Sequence, residues 1–414
     1  MSAVLFRKSQ QKKLWSTIRG AFSGGAPGWL YDDTNQSTLF QDSAGTSHVT
    51  ALEQPVGLQL DLSGRGNHRY QPTSANRPTW SARYNLYTKT ESIKDWATTN
   101  CTVDPTPVAA YDGKVVAYRA TFAANGLLYQ NNIPASGSLG SFTQTAYVKS
   151  ATGTNQTIRQ FGNGGLAFSS NIVVGNSWIP ISFAYAFTAV TSGFTTASGG
   201  TADIYICYPD IRPSDQATGL IPTYQRVDTA TSYDSVGFPA GLRWNGSNSW
   251  MQNASVDFSG TNKVAIFVGA RKQSDAALAV LTELSATIAS NNGTFLLSAP
   301  NSAAANLNFS SKGTTQVDDT VTTYTAPTTR VIAGIADIGL PSNIIMVNGV
   351  QVGSVLTTQG TGNFSNSPAF FGARNGASAF FNGMTYSNCA IGGGLSASQI
   401  AAFNAWTNSK ARAA

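Results

Sequence analysis

The sequence is poor in charge and poorer still in the groups that do chemistry. Asp, Glu, Lys and Arg supply only 11% of the 414 residues, less than half the roughly 25% of an ordinary soluble domain. That scarcity excludes thermophile-type ion-pair networks and acidic solvating tails. Histidine occurs twice, at His48 and His68. No Ser-His-Asp triad can therefore be assembled from the chain beyond residue 85 alone, and three-histidine and HExxH metal sites are excluded. Glutamate occurs three times, as Glu53, Glu91 and Glu283, far apart. Glycoside hydrolysis wants two carboxylates about 5–9.5 Å apart. The adjacent acid pairs, Asp32-Asp33 and Asp318-Asp319, would point to opposite faces of any strand that carried them. The three cysteines, Cys101, Cys207 and Cys389, are odd in number and widely spaced. That excludes a complete disulfide framework and a C-x-x-C site, and leaves room for buried thiols. No P-loop, Rossmann glycine pattern, heptad or collagen repeat occurs.

Long apolar runs are also missing. The most apolar window, residues 172–190, is interrupted by Asn176, Ser177 and Pro180, so two strands are expected there and no membrane insertion. The first residues are too basic and too polar for the apolar core of a signal peptide. The expectation is an exit from the cell other than ordinary secretion, such as release within an assembled particle.

What fills the chain is Gly, Ser, Thr, Asn and Ala between short apolar runs. The net charge of +6 is concentrated at the start. Arg7, Lys8, Lys12, Lys13 and Arg19 carry five positive charges within the first 20 residues, without an acid. The remainder is nearly neutral and lacks the basic patch that a nucleic-acid partner requires. Arg7, Lys8, Lys12, Lys13 and Trp15 are the candidates for a docking arm, with a solubilising arm as the plainer reading. Leu14, Trp15 and Ile18 predict a short amphipathic helix ended by the glycines of FSGGAPGW.

Three parts are expected. Residues 1–84 read as a basic arm and an extended, turn-rich segment, with SGRGN as a tight turn. It is too thin for a large core of its own and is expected to pack on a neighbouring domain or subunit. Residues 85–235 read as a first β-sandwich, in which Ile204, Ile206 and Tyr208 share one face of a strand and Tyr205 and Cys207 the other. Its closing stretch, 219–235, looks polar and poor in core. Residues 236–414 read as a second sandwich of short strands at roughly ten-residue spacing. Val347-Asn348-Gly349-Val350 is its strongest hairpin signal, and Asn245-Gly246 marks a turn between Trp244 and Trp250. The fold class is all-β: an irregular N-terminal segment and two jelly-roll-type sandwiches, the last closed by a helix.

That helix is legible in LSASQIAAFNAWTN. Ser396 is the N-cap, Gln399 completes a capping box, and Leu395 and Ile400 form a hydrophobic staple. Ile400, Phe403 and Trp406 give one apolar side. Nothing on it does chemistry. For ligands, aromatic platforms with short amides suit a sugar, and Trp178, Trp244, Asn248, Trp250 and Tyr386 are the glycan-binding candidates. Each of them is also a natural core residue. Asp318 and Asp319, in what reads as a loop, are the weak candidates for a calcium ion, the one cofactor left open; a solvated turn is the plainer reading.

Three resemblances follow from these residues. LRWNGSNSWMQ, IIMVNGVQVG, FFGARNGASAFFNGMTYS and LSASQIAAFNAWTN together resemble the concanavalin A-like (laminin G-like) sandwich over about residues 238–410. Hydrolases of that fold carry an E-x-D-x-x-E strand motif, absent here, so the resemblance implies binding or structure. NLYTKTESIKDWATTN, SFTQTAYVKS and TADIYICYPDIRPSDQATGLIPT resemble a carbohydrate-binding-like jelly roll found in phage structural proteins. Residues 5–80 resemble a segment of phage and prophage tail-type proteins. Together these imply a non-enzymatic virion protein, a tail fibre, appendage or capsid-bound fibre. It would be attached to other virion proteins through its N-terminal part and assembled in the host cytoplasm. The implied partners are host surface polysaccharide and further copies of the chain, as in the trimers usual among such proteins. A host-glycan depolymerase and a structural collar or adaptor are the alternatives.

Overall fold

The computed structural model describes residues 14–131, 141–186, 191–214 and 222–413. Arg7, Lys8, Lys12 and Lys13 lie outside them. The regular secondary structure of the described chain is almost entirely antiparallel β, as its alternating patterns predict. The chain divides into two compact units, 1–82 with 239–414, and 83–238. The three-part reading is thus regrouped. The extended segment 28–81, expected to pack on a neighbouring domain, supplies strands of the C-terminal sandwich itself, and the middle unit is inserted between the two.

The discontinuous unit is a sandwich of an eight-stranded and a nine-stranded sheet. Its central strand, Asn382–Gly392, pairs with Lys263–Lys272 along one edge. On the other edge it pairs with both Gly28–Asp32 and Gly241–Asn245. Thr79–Ser81 extends the same sheet beyond Gly241–Asn245, while Leu39–Phe40, Leu58–Gln59 and Arg69–Tyr70 form one side of the second sheet. The physical reason is burial. Trp29, Leu30, Tyr31, Leu39, Val49 and Val56 are fully or almost fully enclosed, and each large apolar side chain so buried stabilises by about 1.5–3 kcal/mol. Polar groups follow the same logic. Asp61 accepts the backbone N–H groups of Leu30, Ser63 and Asn67, which organises the SGRGN turn against the first strand.

Between the two sheets lies an ion pair. Arg69 Nη2 is 2.6 Å from Asp33 Oδ1, and both side chains are wholly enclosed. Gln59 Oε1 accepts Arg69 Nε at 2.8 Å. Thr385 Oγ1 donates to Asp33 Oδ2 at 2.5 Å and accepts Trp244 Nε1 at 3.0 Å. The guanidinium lies over the rings of Tyr31 and Phe371, at 4.5 and 5.1 Å.

Local signals formed as expected where they needed only neighbours. Asn348 and Gly349 take φ of 51° and 80°, the pair of positive values that a two-residue type I′ hairpin demands, and Val347 faces Val350. The Ala397–Ala411 helix has both halves of its capping box, Gln399 N to Ser396 Oγ at 3.3 Å and Ser396 N to Gln399 Oε1 at 2.9 Å. Phe403 stacks on Phe267 of the sheet with centroids 5.0 Å apart, and Trp406 meets Trp15 of the helical stretch 14–23 at 6.2 Å. The Asn245-Gly246 turn is different from expectation. Gly241–Asn245 lies in the eight-stranded sheet and Met251–Gln252 in the nine-stranded one, so the turn carries the chain across the sandwich.

The inserted unit is a jelly-roll-like sandwich of its own. Its 15-residue strand Val116–Gln130 serves both layers, pairing through Tyr118–Phe122 with the Ala202–Pro213 strand and through Leu127–Gln130 with Ser192–Thr196. Ile158, Phe194, Ile204, Ile206 and Ile211 fill the space between. The stretch 172–190 contains two strands, Ile172–Val174 and Ile179–Ala186, as its interruptions predict, with residues 187–190 outside the described part. All three cysteines are buried free thiols.

Candidate functional site: a tyrosine-lined groove

An open groove of about 670 Å³ lies in the inserted unit, within the roughly 300–1,000 Å³ typical of ligand pockets. One wall is a short hairpin. Val108–Ala109 pairs with Val116–Ala117, and Asp112-Gly113 makes the turn. Gly113 supplies φ 69°, and Asp112 Oδ1 accepts the Lys114 N–H at 3.1 Å. Aspartate bonding two residues ahead followed by glycine at positive φ is standard turn chemistry. It leaves Tyr111 projecting, 49% exposed.

The floor comes from a strand irregularity. Strict alternation would put Tyr208 beside Ile204 and Ile206 in the core. The register instead slips between Cys207 and Asp210, and Tyr208 takes φ 53°. A bulge inserts one extra residue and re-aims its side chain, and Pro209 marks the place, since proline inside a strand is tolerated at such bulges. The phase then changes: Ile211 goes into the core, and Tyr208 joins Tyr205, Cys207 and Tyr147 on the outer face. This corrects the sequence expectation for Tyr208.

The second wall is the stretch 222–226, which read as a polar boundary. It is tied down from below. Gln225, fully buried, accepts the N–H groups of Tyr84 and Asn85 at 2.7 and 2.9 Å. Tyr224 Oη donates to Thr90 Oγ1 at 2.7 Å.

Four tyrosines thus meet. Ring centroids are 4.5 Å apart for Tyr111 and Tyr147, 6.0 Å for Tyr147 and Tyr208, and 4.7 Å for Tyr208 and Tyr224. Tyr208 Oη donates to Asp112 Oδ2 at 2.6 Å. That bond, with the Lys114 N–H, holds the Asp112 carboxyl below its ordinary value. The hydrogen bond with Tyr147, burial and nearby Asp112 push Tyr111 up to about 12. Burial likewise raises Tyr208 and Tyr224. Tyr111, Tyr208 and Tyr224 stay protonated at neutral pH, with the Tyr208 and Tyr224 protons given to Asp112 and Thr90. Burial raises Glu91 against the pull of Arg226, and Arg226 Nη2 pairs with Asp234 Oδ1 at 3.1 Å.

Aromatic faces carrying a negative quadrupole attract the C–H faces of flat ligands, and the surrounding acids and phenols accept and donate hydrogen bonds. A single-stranded nucleic acid also stacks on aromatic rings, but it requires a positively charged groove. Here Glu91, Asp112 and Asp234 line the groove, with Lys114 and Arg226 the only cations among its described residues.

The sequence candidates are placed elsewhere. Trp244 and Tyr386 are each 1% exposed core residues, which removes both as ligand platforms. Gly372 makes this fit possible: it takes φ 76°, and a Cβ there would lie 2.3 Å from the Trp244 ring. Trp250 is half-buried against Phe370 and beneath Gly376. Asn248 is engaged with Ala75 O and Asn76 Oδ1. Trp178 lies on the same outer face as the groove, 6.4 Å from Tyr205, but does not line it. Asp318 and Asp319 sit on the strand Gln316–Thr322, not in a loop. Asp318 is exposed and Asp319 is buried, accepting the Ile345 N–H at 3.1 Å, so the two do not face a common ion. Among the described residues no group of three or more His, Cys, Asp or Glu could hold a metal. No described helix is long and apolar enough to cross a membrane. The groove residues escaped the sequence reading. Their signals were the tyrosine before Asp-Gly and the Tyr-Pro inside an alternating strand.

No protein-family model and no curated protein matches the sequence. Several solved structures are similar to parts of it. A carbohydrate-binding module of the Ruminococcus gnavus IT-sialidase bound to α2,6-sialyllactose is 16% identical with TM-score 0.28, covering 36% of this chain and 84% of that one. Domain 4 of the arabinanase AbnA from Geobacillus stearothermophilus, in complex with arabinotriose, is 16% identical with TM-score 0.32, covering 46% and 93%. A heptameric SAP-like pentraxin from Limulus polyphemus is 10% identical with TM-score 0.28, covering 34% and 68%. The sandwich architecture itself rests on the strand pairing described above.

Proposed function

We propose that this chain is a non-catalytic virion structural protein of a bacteriophage, part of a tail fibre, appendage or capsid-bound fibre, that binds host surface glycan through the inserted unit. The observation that carries the reading is the groove of Tyr111, Tyr147, Tyr208 and Tyr224. Rigid aromatic faces with hydrogen-bonding neighbours suit a sugar, and its rings are held by the turn, the bulge and buried Gln225. The virion context rests on the sequence resemblance and on the charge-poor, β-rich make-up. Self-association would multiply a weak single-site affinity. Attachment to other virion proteins falls to the basic arm of Arg7, Lys8, Lys12 and Lys13, because residues 28–81 are occupied in building the sandwich. Trp15, packed on Trp406, serves that arm as a fixed root.

The test is oligosaccharide binding by the full chain. Tyr111→Ala changes a half-exposed side chain and should leave folding intact while abolishing binding. Binding unchanged in Tyr111→Ala and Tyr147→Ala would remove the groove from the reading. Release of reducing ends that disappears in Glu91→Gln would replace attachment by hydrolysis. Absence of the protein from purified particles would overturn the virion assignment.

A further inference from the structure

We infer that the tyrosine groove selects neutral, hydroxyl-rich oligosaccharides over those bearing uronate or sialate carboxylates, an inference that rests on the groove being a glycan site. The charged side chains that line it are three carboxylates, Glu91, Asp112 and Asp234, and two cations, Lys114 and Arg226. Each cation is already beside an acid. The Arg226 guanidinium is paired with Asp234 at 3.1 Å. The Lys114 charge lies near enough to the Asp112 carboxyl to help hold it ionised, without a salt bridge between the two side chains. Glu91 remains as the surplus acid, near Asp234 as well as Arg226. A ligand carboxylate entering this groove finds no cation free of an acidic neighbour and adds a fourth negative charge. Juxtaposed like charges suppress wrong partners. A sugar hydroxyl meets the opposite situation, because ionised carboxylates are the strongest acceptors for O–H donors. The neutral phenol oxygens of Tyr111, Tyr208 and Tyr224 add acceptors without charge.

The experiment is calorimetric titration of the full chain at 0.15 M salt with neutral hexose oligosaccharides and with uronate- or sialate-bearing ones of equal length. Neutral ligands should bind about tenfold more tightly, a difference of about 1.4 kcal/mol. Asp234→Asn, a change at a half-exposed side chain, frees the Arg226 guanidinium. It should raise affinity for the acidic ligands about tenfold and lower it for the neutral ones, whose hydroxyls lose an ionised acceptor, so that the preference narrows or reverses. Tighter binding of acidic ligands by the unaltered chain, abolished by Tyr111→Ala, would overturn the selectivity while leaving the glycan site standing. No response of acidic-ligand affinity to Asp234→Asn would also overturn it. Absence of any Tyr111-dependent binding would sink the site and the selectivity together.

Discussion

Removing the guanidinium of Arg69 should be among the most damaging single changes in the discontinuous sandwich. Arg69→Met keeps much of the volume and deletes the only cation within salt-bridge distance of Asp33 among the described residues, in a place neither side chain shares with water. Breaking a fully buried pair from one side costs about 3–5 kcal/mol, because the surviving charge is left uncompensated. Thr385 and Gln59 still donate to the carboxylate, which places the expected loss near 3 kcal/mol, a large part of the roughly 5–15 kcal/mol of a typical domain. Asp33→Asn in the same chain removes the stranded charge while keeping an acceptor for Thr385. The double variant should therefore recover about 1–3 kcal/mol relative to the sum of the singles, the coupling expected for residues in contact. Urea unfolding followed by tryptophan fluorescence reads it well, since Trp15, Trp29, Trp80, Trp244, Trp250 and Trp406 all belong to this unit. Proton linkage supplies a second readout. Burial already pushes the Asp33 carboxyl up while Arg69 pulls it down, so loss of Arg69 raises it further. A carboxyl whose folded value exceeds its unfolded one binds protons preferentially in the folded state. Its stabilisation is complete below the unfolded value and disappears as pH rises through the folded value. Arg69→Met should accordingly be more stable at pH 5 than at pH 7. A loss under about 1 kcal/mol, or single effects that simply add, would refute the argument.

Three further outcomes are expected. The fragment 83–238 should fold alone, whereas 239–414 should not, since the latter lacks the Gly28–Asp32 partner of its central strand and the enclosed Trp29 and Tyr31; dispersion in amide proton spectra distinguishes the two. Ser396→Ala should cost about 1 kcal/mol by removing the cap of the terminal helix, with Ser396→Gly costing only a few tenths, both by chemical denaturation. The Tyr208–Asp112 bond should persist at neutral pH and fail in acid. The folded Asp112 carboxyl is held below its ordinary value, so its stabilising contribution is present above the unfolded value and lost as pH falls through the folded one. A near-ultraviolet tyrosine signal that vanishes on acidification in the parent but is already absent in Asp112→Asn would report this.

Much of the fold was legible because its signals are short-range. The Asn348-Gly349 hairpin and the Ser396–Gln399 box depend on residues within four positions of each other. The three cysteines read as buried thiols for want of partners, and so they are. The candidate site was far less legible. Trp244 and Trp250 sit six residues apart with the same side chain, yet one is enclosed beneath Gly372 and the other half-buried against Phe370 and Gly376. That difference is made by residues more than a hundred positions away. Tyr208 was placed on the core face by alternation, and a one-residue bulge reversed it. Asp318 and Asp319 looked like loop residues because two acids are unusual in a strand; pairing with Asn306–Lys312 put them in one all the same.

By itself the sequence determined the class: all-β, poor in charge, without the three histidines of a His-based metal site or the paired glutamates of a hydrolase strand, and closed by a capped helix. Those conclusions follow from composition and from local hydrogen-bond chemistry, which the chain carries wherever it goes. The exclusion of a triad from the sandwiches did not hold on the same ground, because the structure builds His48 and His68 into the discontinuous one. Only the tertiary structure decided that residues 28–81 complete a sandwich whose other strands begin at residue 241, with a second unit inserted between, and that four tyrosines from four separate stretches line one groove. Strand pairing over hundreds of residues and the phase of a bulged strand are set by the summed burial of both partners. No window of the sequence holds both.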